Sequence, residues 1–189
     1  TVGRPAQGHD LRLIDDDGVE VGPGQSGEVV GHSAGMMTGY HGQPDKTRQA
    51  QWFDPSGKRF IRTGDVGRFD DDGFLILLDR KKDMVISGGF NVYPSDLEAV
   101  VRQHPGVADV AVVGVPSERW GETPVAFVVL REGAQLAAGE LLQWTNAQLG
   151  KTQRLGDLRL TDELPRSAIG KILKRELRAC YQPIEETRP

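Results

Sequence analysis

The sequence of 189 residues predicts an α+β protein in two units: a β-rich one over residues 1–80 and a small domain over residues 81–189, built from a three-stranded sheet covered by helices. Three observations carry this expectation. Up to Arg80, short apolar runs are separated by Asp-Gly turns. Beyond it, helical spacing and capping signals surround two strongly apolar segments. Between the two patterns lies a dense charge run, Asp79-Arg80-Lys81-Lys82-Asp83, of the kind that joins separate units.

In the first unit, Leu11-Arg12-Leu13-Ile14 alternates as a strand and ends in Asp15-Asp16-Asp17-Gly18. Gly27-Glu28-Val29-Val30 reads as a second strand. Phe74-Leu75-Ile76-Leu77-Leu78 reads as a third, entered through Asp70-Asp71-Asp72-Gly73. Asp-Gly between apolar runs is a hairpin signal. Neither triple-Asp run continues into a loop with calcium-ligand spacing and a distal Glu, so both read as solvated turns. In the second unit, Ser95-Asp96-Leu97-Glu98 has the form of a capping box opening a helix. Val107 to Val115 and Val125 to Leu130 are short enough to be buried strands. Glu140 to Leu149 reads as a helix, Leu158 to Leu160 as a brief strand, and Lys171 to Tyr181 as the last helix. Gln182 to Pro189 carries two prolines and no apolar face, which predicts a frayed end.

Composition narrows the function. With 23 Lys+Arg against 27 Asp+Glu, the net charge is −4, which argues against a general nucleic-acid binder. No apolar run approaches the ~20 residues that span a bilayer, and Thr1-Val2-Gly3-Arg4-Pro5 is not a signal peptide. A cytoplasmic chain, at most peripheral to a membrane, is expected. One cysteine, Cys180, and four scattered histidines leave no dedicated metal site. Gly22-Pro23-Gly24-Gln25-Ser26-Gly27 matches a dinucleotide fingerprint literally, yet it leads into a strand rather than a helix. Gly150-Lys151-Thr152 lacks the earlier glycine of a phosphate loop.

Three segments hold together. In Arg62-Thr63-Gly64-Asp65, a short loop presents a carboxylate able to accept two hydrogen bonds from vicinal hydroxyls such as those of a ribose. Read alone, it is a turn aspartate. After the charge run, Gly88-Gly89 permits positive φ or close approach of a ligand. Finally, Leu164-Pro165-Arg166-Ser167-Ala168-Ile169-Gly170-Lys171 sets a lysine on a Pro/Gly-framed loop ahead of a basic helix.

In this order, the segments resemble the adenylate-forming enzymes: acyl-CoA synthetases, nonribosomal adenylation domains and luciferases. Gly27-Glu28 through Gly39-Tyr40, Pro44-Asp45-Lys46-Thr47, Thr63-Gly64-Asp65, the stretch Asp79 to Glu98 and Pro165 to Lys171 each match a motif of that family. The resemblance implies that residues 1–80 are the C-terminal β subdomain of the large AMP-binding domain, and residues 81–189 the mobile C-terminal domain. It implies a ligase that activates a carboxylic acid with ATP to acyl-AMP and passes the acyl group to coenzyme A. The wording of Asp79 to Pro94 looks most like members acting on medium- or long-chain fatty acids.

Roles follow by position. Lys171 is implied as the catalytic lysine, Asp65 and Arg80 as ATP/AMP-binding residues, and Lys82 as the hinge. Gly88 and Gly89 are implied on the thiol's route, with Trp120, Lys151 and Arg154 as coenzyme A contacts. The family's phosphate loop and its aromatic-Gly-x-Thr-Glu segment do not occur here. The resemblance therefore implies that Mg²⁺ and the acyl group are held mainly by an N-terminal part missing from this sequence, without which these residues are inactive. At Gly150-Lys151-Thr152-Gln153 the family's aromatic and proline are absent. The alternatives are an adenylation domain loading an amino acid onto a carrier protein, and a non-catalytic detached lid or binding module.

Overall fold

Three turns of one chemistry shape the start of the chain. Asp15, Asp54 and Asp70 each accept a backbone N–H two residues on and another four residues on, at 2.8–3.1 Å. In each turn a glycine at the fourth position takes positive φ (Gly18 79°, Gly57 83°, Gly73 78°), which lets the chain reverse tightly. The aspartates that open both triple-Asp runs thus spend their carboxylates on their own backbone.

The computed structural model describes residues 1–181 and separates into two units, Thr1–Lys82 and one that begins at Asp83. The expectation for Gln182 to Pro189 lies outside the described residues. The first unit is an antiparallel sheet of β1 (Asp10–Ile14), β2 (Gly27–His32), β3 (Gln51–Phe53), β4 (Arg59–Phe69) and β5 (Leu75–Arg80), with one short helix, α1 (Pro44–Gln49). β4 pairs with β2 along one edge and with β3 and then β5 along the other. Side chains alternate across the sheet: Ile14, Val30, Trp52 and Phe60 pack on one face, Leu13, Val29 and Leu75 on the other. Gly22 to Ser26 is a turn leading into β2, so it opens no helix.

One correction concerns Arg62-Thr63-Gly64-Asp65. The four residues are not a loop; they lie inside β4 at a bulge. Arg62 pairs with Val30 but Val66 pairs with Glu28, so β4 carries two more residues than β2 over this stretch. Gly64, at φ 74°, absorbs the excess.

The second unit holds β6 (Val85–Ser87), β7 (Phe90–Val92), α2 (Pro94–Val101), β8 (Val107–Ser117), β9 (Gly121–Leu130), α3 (Ala138–Gln148), β10 (Asp157–Leu160) and α4 (Lys174–Cys180). The three expected strands, β8 to β10, form the body of its sheet, with β9 antiparallel to β8 and parallel to β10. The short β6–β7 hairpin extends it to five strands by pairing Ser87 with Gly121. Val110, Val112, Ala126 and Val128 join Leu97, Val101 and Leu141 in one cluster. Their neighbours Ala111, Val113, Val125 and Phe127 join Leu164 and Leu177 in another. Burial on both faces explains why these strands read as continuous apolar runs.

Ser95 does not hold the N-cap position expected of it. α2 begins at Pro94, a residue before Ser95, and its N-cap, Tyr93, makes no side-chain cap hydrogen bond. Glu98 is used elsewhere: it is buried, accepts the Val112 N–H at 2.9 Å and pairs with Lys174 at 2.9 Å. Arg102, one turn on, donates to the Val110 carbonyl at 3.1 Å. The last helix is also shorter than expected, because residues ahead of Lys174 form a hairpin instead. Among the described residues, no helix is long and apolar enough to cross a membrane.

Acid should loosen the first unit selectively. Arg12's hydrogen bond holds the Asp10 carboxyl below its ordinary pKa, and the Ser56 hydroxyl does the same for Asp54, in each case against an opposing burial effect. A carboxyl with a depressed folded-state pKa contributes stability above the unfolded value, and that contribution disappears as pH falls through the folded value. Urea midpoints of the chain should therefore be flat down to about pH 4 and fall below it. An Asp54→Asn variant should start lower and fall less.

Candidate functional site

Residues singled out by sequence fall into three places. The first is the β4 bulge. Asp65 stands opposite Arg80 of β5, and one carboxylate oxygen receives Arg80 Nε at 2.8 Å. The Thr63 hydroxyl donates to the Val29 carbonyl at 2.9 Å and accepts the Asp65 N–H at 3.1 Å, which fixes the bulge against β2. Gly64, Arg80, Lys81 and Lys82 line a shallow depression beside it.

Beneath this lies a residue that sequence reasoning did not assign a role. Glu28 of β2 is buried and meets two cations, Arg62 at 3.1 Å and Lys81 at 3.1 Å. Lys81 also pairs with Asp16 at 2.8 Å. Burial lowers the pKa of Lys81, but the hydrogen bonds that its ammonium donates to Asp16 and Glu28 outweigh it and the net shift is upward. The signal was a glutamate inside a short apolar strand, a position where a charge needs a partner. Two residues beyond Lys81, Asp83 pairs with Arg178 of α4 at 2.9 Å. Exposed Lys82 therefore sits between two engaged neighbours, in a single turn of 3₁₀ helix and next to the division between the units.

The second place is a cavity of about 440 Å³ in the second unit, and it brings together Gly88, Trp120, Lys151 and Arg154. Gly88 has φ 58°, a conformation that side chains disfavour, and donates its N–H to the Trp120 carbonyl at 2.9 Å; a Cβ there would meet the Trp120 ring tightly, at 3.0 Å. Gly89, at φ 82°, follows it in the β6–β7 turn but does not line the cavity. Arg119 stacks over the Trp120 ring at 4.7 Å. Phe90, Thr123 and Gly156 also line the cavity and were not foreseen. Strand pairing brings Phe90 and Thr123 to it from segments far apart in sequence. The walls offer apolar rings, two cations and two glycines, which suit an anionic ligand with a flat apolar group.

The third place is the hairpin ahead of α4. Ser167 N–H donates to the Lys171 carbonyl at 2.8 Å, Gly170 N–H to the Ser167 carbonyl at 2.8 Å, and Lys171 N–H to Ser167 Oγ at 3.2 Å. Gly170 has φ 80°. The three aspartate turns of the first unit share this pattern, with serine here in the aspartate's place. Three cations of the basic stretch are ion-paired: Arg166 with Asp109, Lys174 with Glu98, and Arg178 with Asp83. Lys171 is exposed and, like Arg175, makes no ion pair among the described residues. Asp65 and Arg80 belong to the first unit, Lys171 and the Trp120 cavity to the second.

Residues 96–171 match the AMP-binding enzyme C-terminal domain. Over 180 residues the chain is 43% identical to the long-chain-fatty-acid–CoA ligase of Escherichia coli O157:H7, covering 94% of this chain and 31% of that protein. It is 38% identical to the 2-succinylbenzoate–CoA ligase of Geobacillus kaustophilus, covering 99% of this chain and 37% of that protein. Among solved structures, ATP-bound MatB from Rhodopseudomonas palustris superposes with a TM-score of 0.84 at 36% identity, over 93% of this chain and 34% of that one. The chain thus spans about a third of the length of the relatives it matches.

Removing the charge of Glu28 should weaken the first unit. Glu28→Gln leaves Arg62 and Lys81 without their shared counter-ion. Because both cations are partly exposed, the expected loss is about 2 kcal/mol, below the range for fully buried pairs. Urea unfolding of the variant reads it, and a loss within ~0.5 kcal/mol would make Glu28 incidental.

Proposed function

From the membership of residues 96–171 in the AMP-binding enzyme C-terminal domain family, we propose that this chain is the C-terminal part of an AMP-forming acid–thiol ligase. In this reading the intact protein activates a medium- or long-chain fatty acid with ATP and delivers the acyl group to coenzyme A. The observation that carries it is the unpaired ammonium of Lys171 on a hairpin whose flanking cations are neutralised. Arg175, the other unpaired cation of the stretch, lies within α4 and not on the hairpin. The fatty-acid class is supported by the wording of Asp79 to Pro94 and by 43% identity to a ligase of that name.

The chemistry assigns each group a task. In the first step a carboxylate oxygen attacks the α-phosphorus of ATP, the bond to the bridging oxygen breaks, and pyrophosphate leaves. Two anions are brought together, and charge gathers on the phosphoryl oxygens. An ammonium placed against them contributes several kcal/mol in a water-poor cleft, and lysine suits the task as a compact charge on a flexible stem. Asp65 holds the ribose hydroxyls with the oxygen that Arg80 leaves free, and Arg80 reaches toward the phosphate. Mg²⁺ accompanies ATP as a counter-ion and is assigned to groups outside these residues.

In the second step the thiolate of coenzyme A attacks the acyl carbon and AMP leaves, the thiol proton passing to solvent. Trp120, Lys151 and Arg154 hold the nucleotide end of coenzyme A, and the pantetheine chain passes Gly88 and Gly89. The two steps need different groups at one centre, so the second unit must turn. Lys82, free between anchored neighbours, is where backbone torsions change.

In the parent protein, Lys171→Ala should slow ATP–pyrophosphate exchange by about 10²-fold or more and leave thioester formation from supplied acyl-AMP intact. Exchange at the normal rate would end this reading. Trp120→Ala should raise the KM for coenzyme A about tenfold without changing exchange. An unchanged KM would return Trp120 to a packing role.

A further inference from the structure

We propose that Arg166, anchored by Asp109, is a positioning residue that aims Lys171; the inference rests on the reading of Lys171 given above. The Arg166 guanidinium is forked between two acceptors. One terminal nitrogen donates to the Gly170 carbonyl at 2.6 Å and the other to the Asp109 carboxylate. The Gly170 carbonyl belongs to the peptide group that immediately precedes the Lys171 Cα. Gripping it fixes the plane from which the lysine side chain departs, at the one point where glycine would let the chain swivel.

Asp109 is itself held. Its other carboxylate oxygen accepts the Val110 N–H at 2.8 Å, and it lies where β8 shifts register against β9, between Val107 and Asp109. A bulge at that position re-aims a side chain out of the regular strand pattern. A continuous path therefore runs from the sheet backbone through Asp109 and Arg166 to the base of Lys171. On the far side, the Leu173 N–H bonds the Pro165 carbonyl at 2.8 Å and Lys174 pairs with Glu98, so the hairpin is closed and then tied to α2. Arginine can serve two acceptors in fixed geometry; lysine at this position would reach one.

The test uses the full-length parent enzyme and separates its half-reactions. Arg166→Ala and Asp109→Asn should each lower kcat for ATP–pyrophosphate exchange by about 10–100-fold, the cost of misplacing a catalytic group. The KM for ATP, the melting temperature and thioester formation from supplied acyl-AMP should stay unchanged. Arg166→Lys should recover only part of the rate, and the double variant should be no slower than Arg166→Ala, since the two residues form one path. Normal exchange in Arg166→Ala, or equal loss in both half-reactions, overturns the inference. Lys171→Ala run alongside separates the two failures. If Lys171→Ala abolishes exchange while the Arg166 and Asp109 variants are normal, only the positioning inference falls; if Lys171→Ala keeps exchange, the underlying reading falls with it.

Discussion

The carboxylate of Glu98 is the contact on which the second unit depends. β8 pairs on one side only, with β9, so it presents unpaired backbone groups along its other edge. α2 covers them from two side chains one turn apart: Glu98 takes the Val112 N–H and Arg102 supplies a donor to the Val110 carbonyl. With the same carboxylate Glu98 holds Lys174 at the start of α4. One buried charge thus joins a helix on one face of the sheet, the edge strand, and the helix on the other face. It also locates the end of the hairpin that carries Lys171.

A second constraint is electrostatic. A lysine can meet an incoming phosphate only if its own fold leaves it unneutralised. In the stretch from Arg166 to Arg178, acidic residues of three other elements take three cations, and Lys171 on the hairpin and Arg175 in α4 are passed over. In the first unit the opposite arrangement occurs. Buried Glu28 ties down Arg62 and Lys81, and with them the two strands that present Asp65 and Arg80. Charges near the proposed chemistry are therefore of two kinds: those spent on holding the backbone and those kept for a ligand.

The sequence alone specified what local chemistry decides. The two triple-Asp turns, the strand that leads into the first, the strand that follows the second and the doubly buried runs of β8 and β9 follow from turn chemistry and apolar patterning, which are properties of adjacent residues. Motif order brought Asp65, Lys82, Gly88 and Lys171 to attention for the same reason. Tertiary structure decided the rest, because it turns on partners distant in the chain. Glu98 looked like a cap for its own helix, yet a strand and a helix elsewhere claim it. Arg62 to Asp65 looked like a loop, yet a neighbouring strand two residues shorter makes it a bulge. Which two of the five cations stay unpaired is set by where Asp83, Glu98 and Asp109 arrive in space, and no local pattern encodes that.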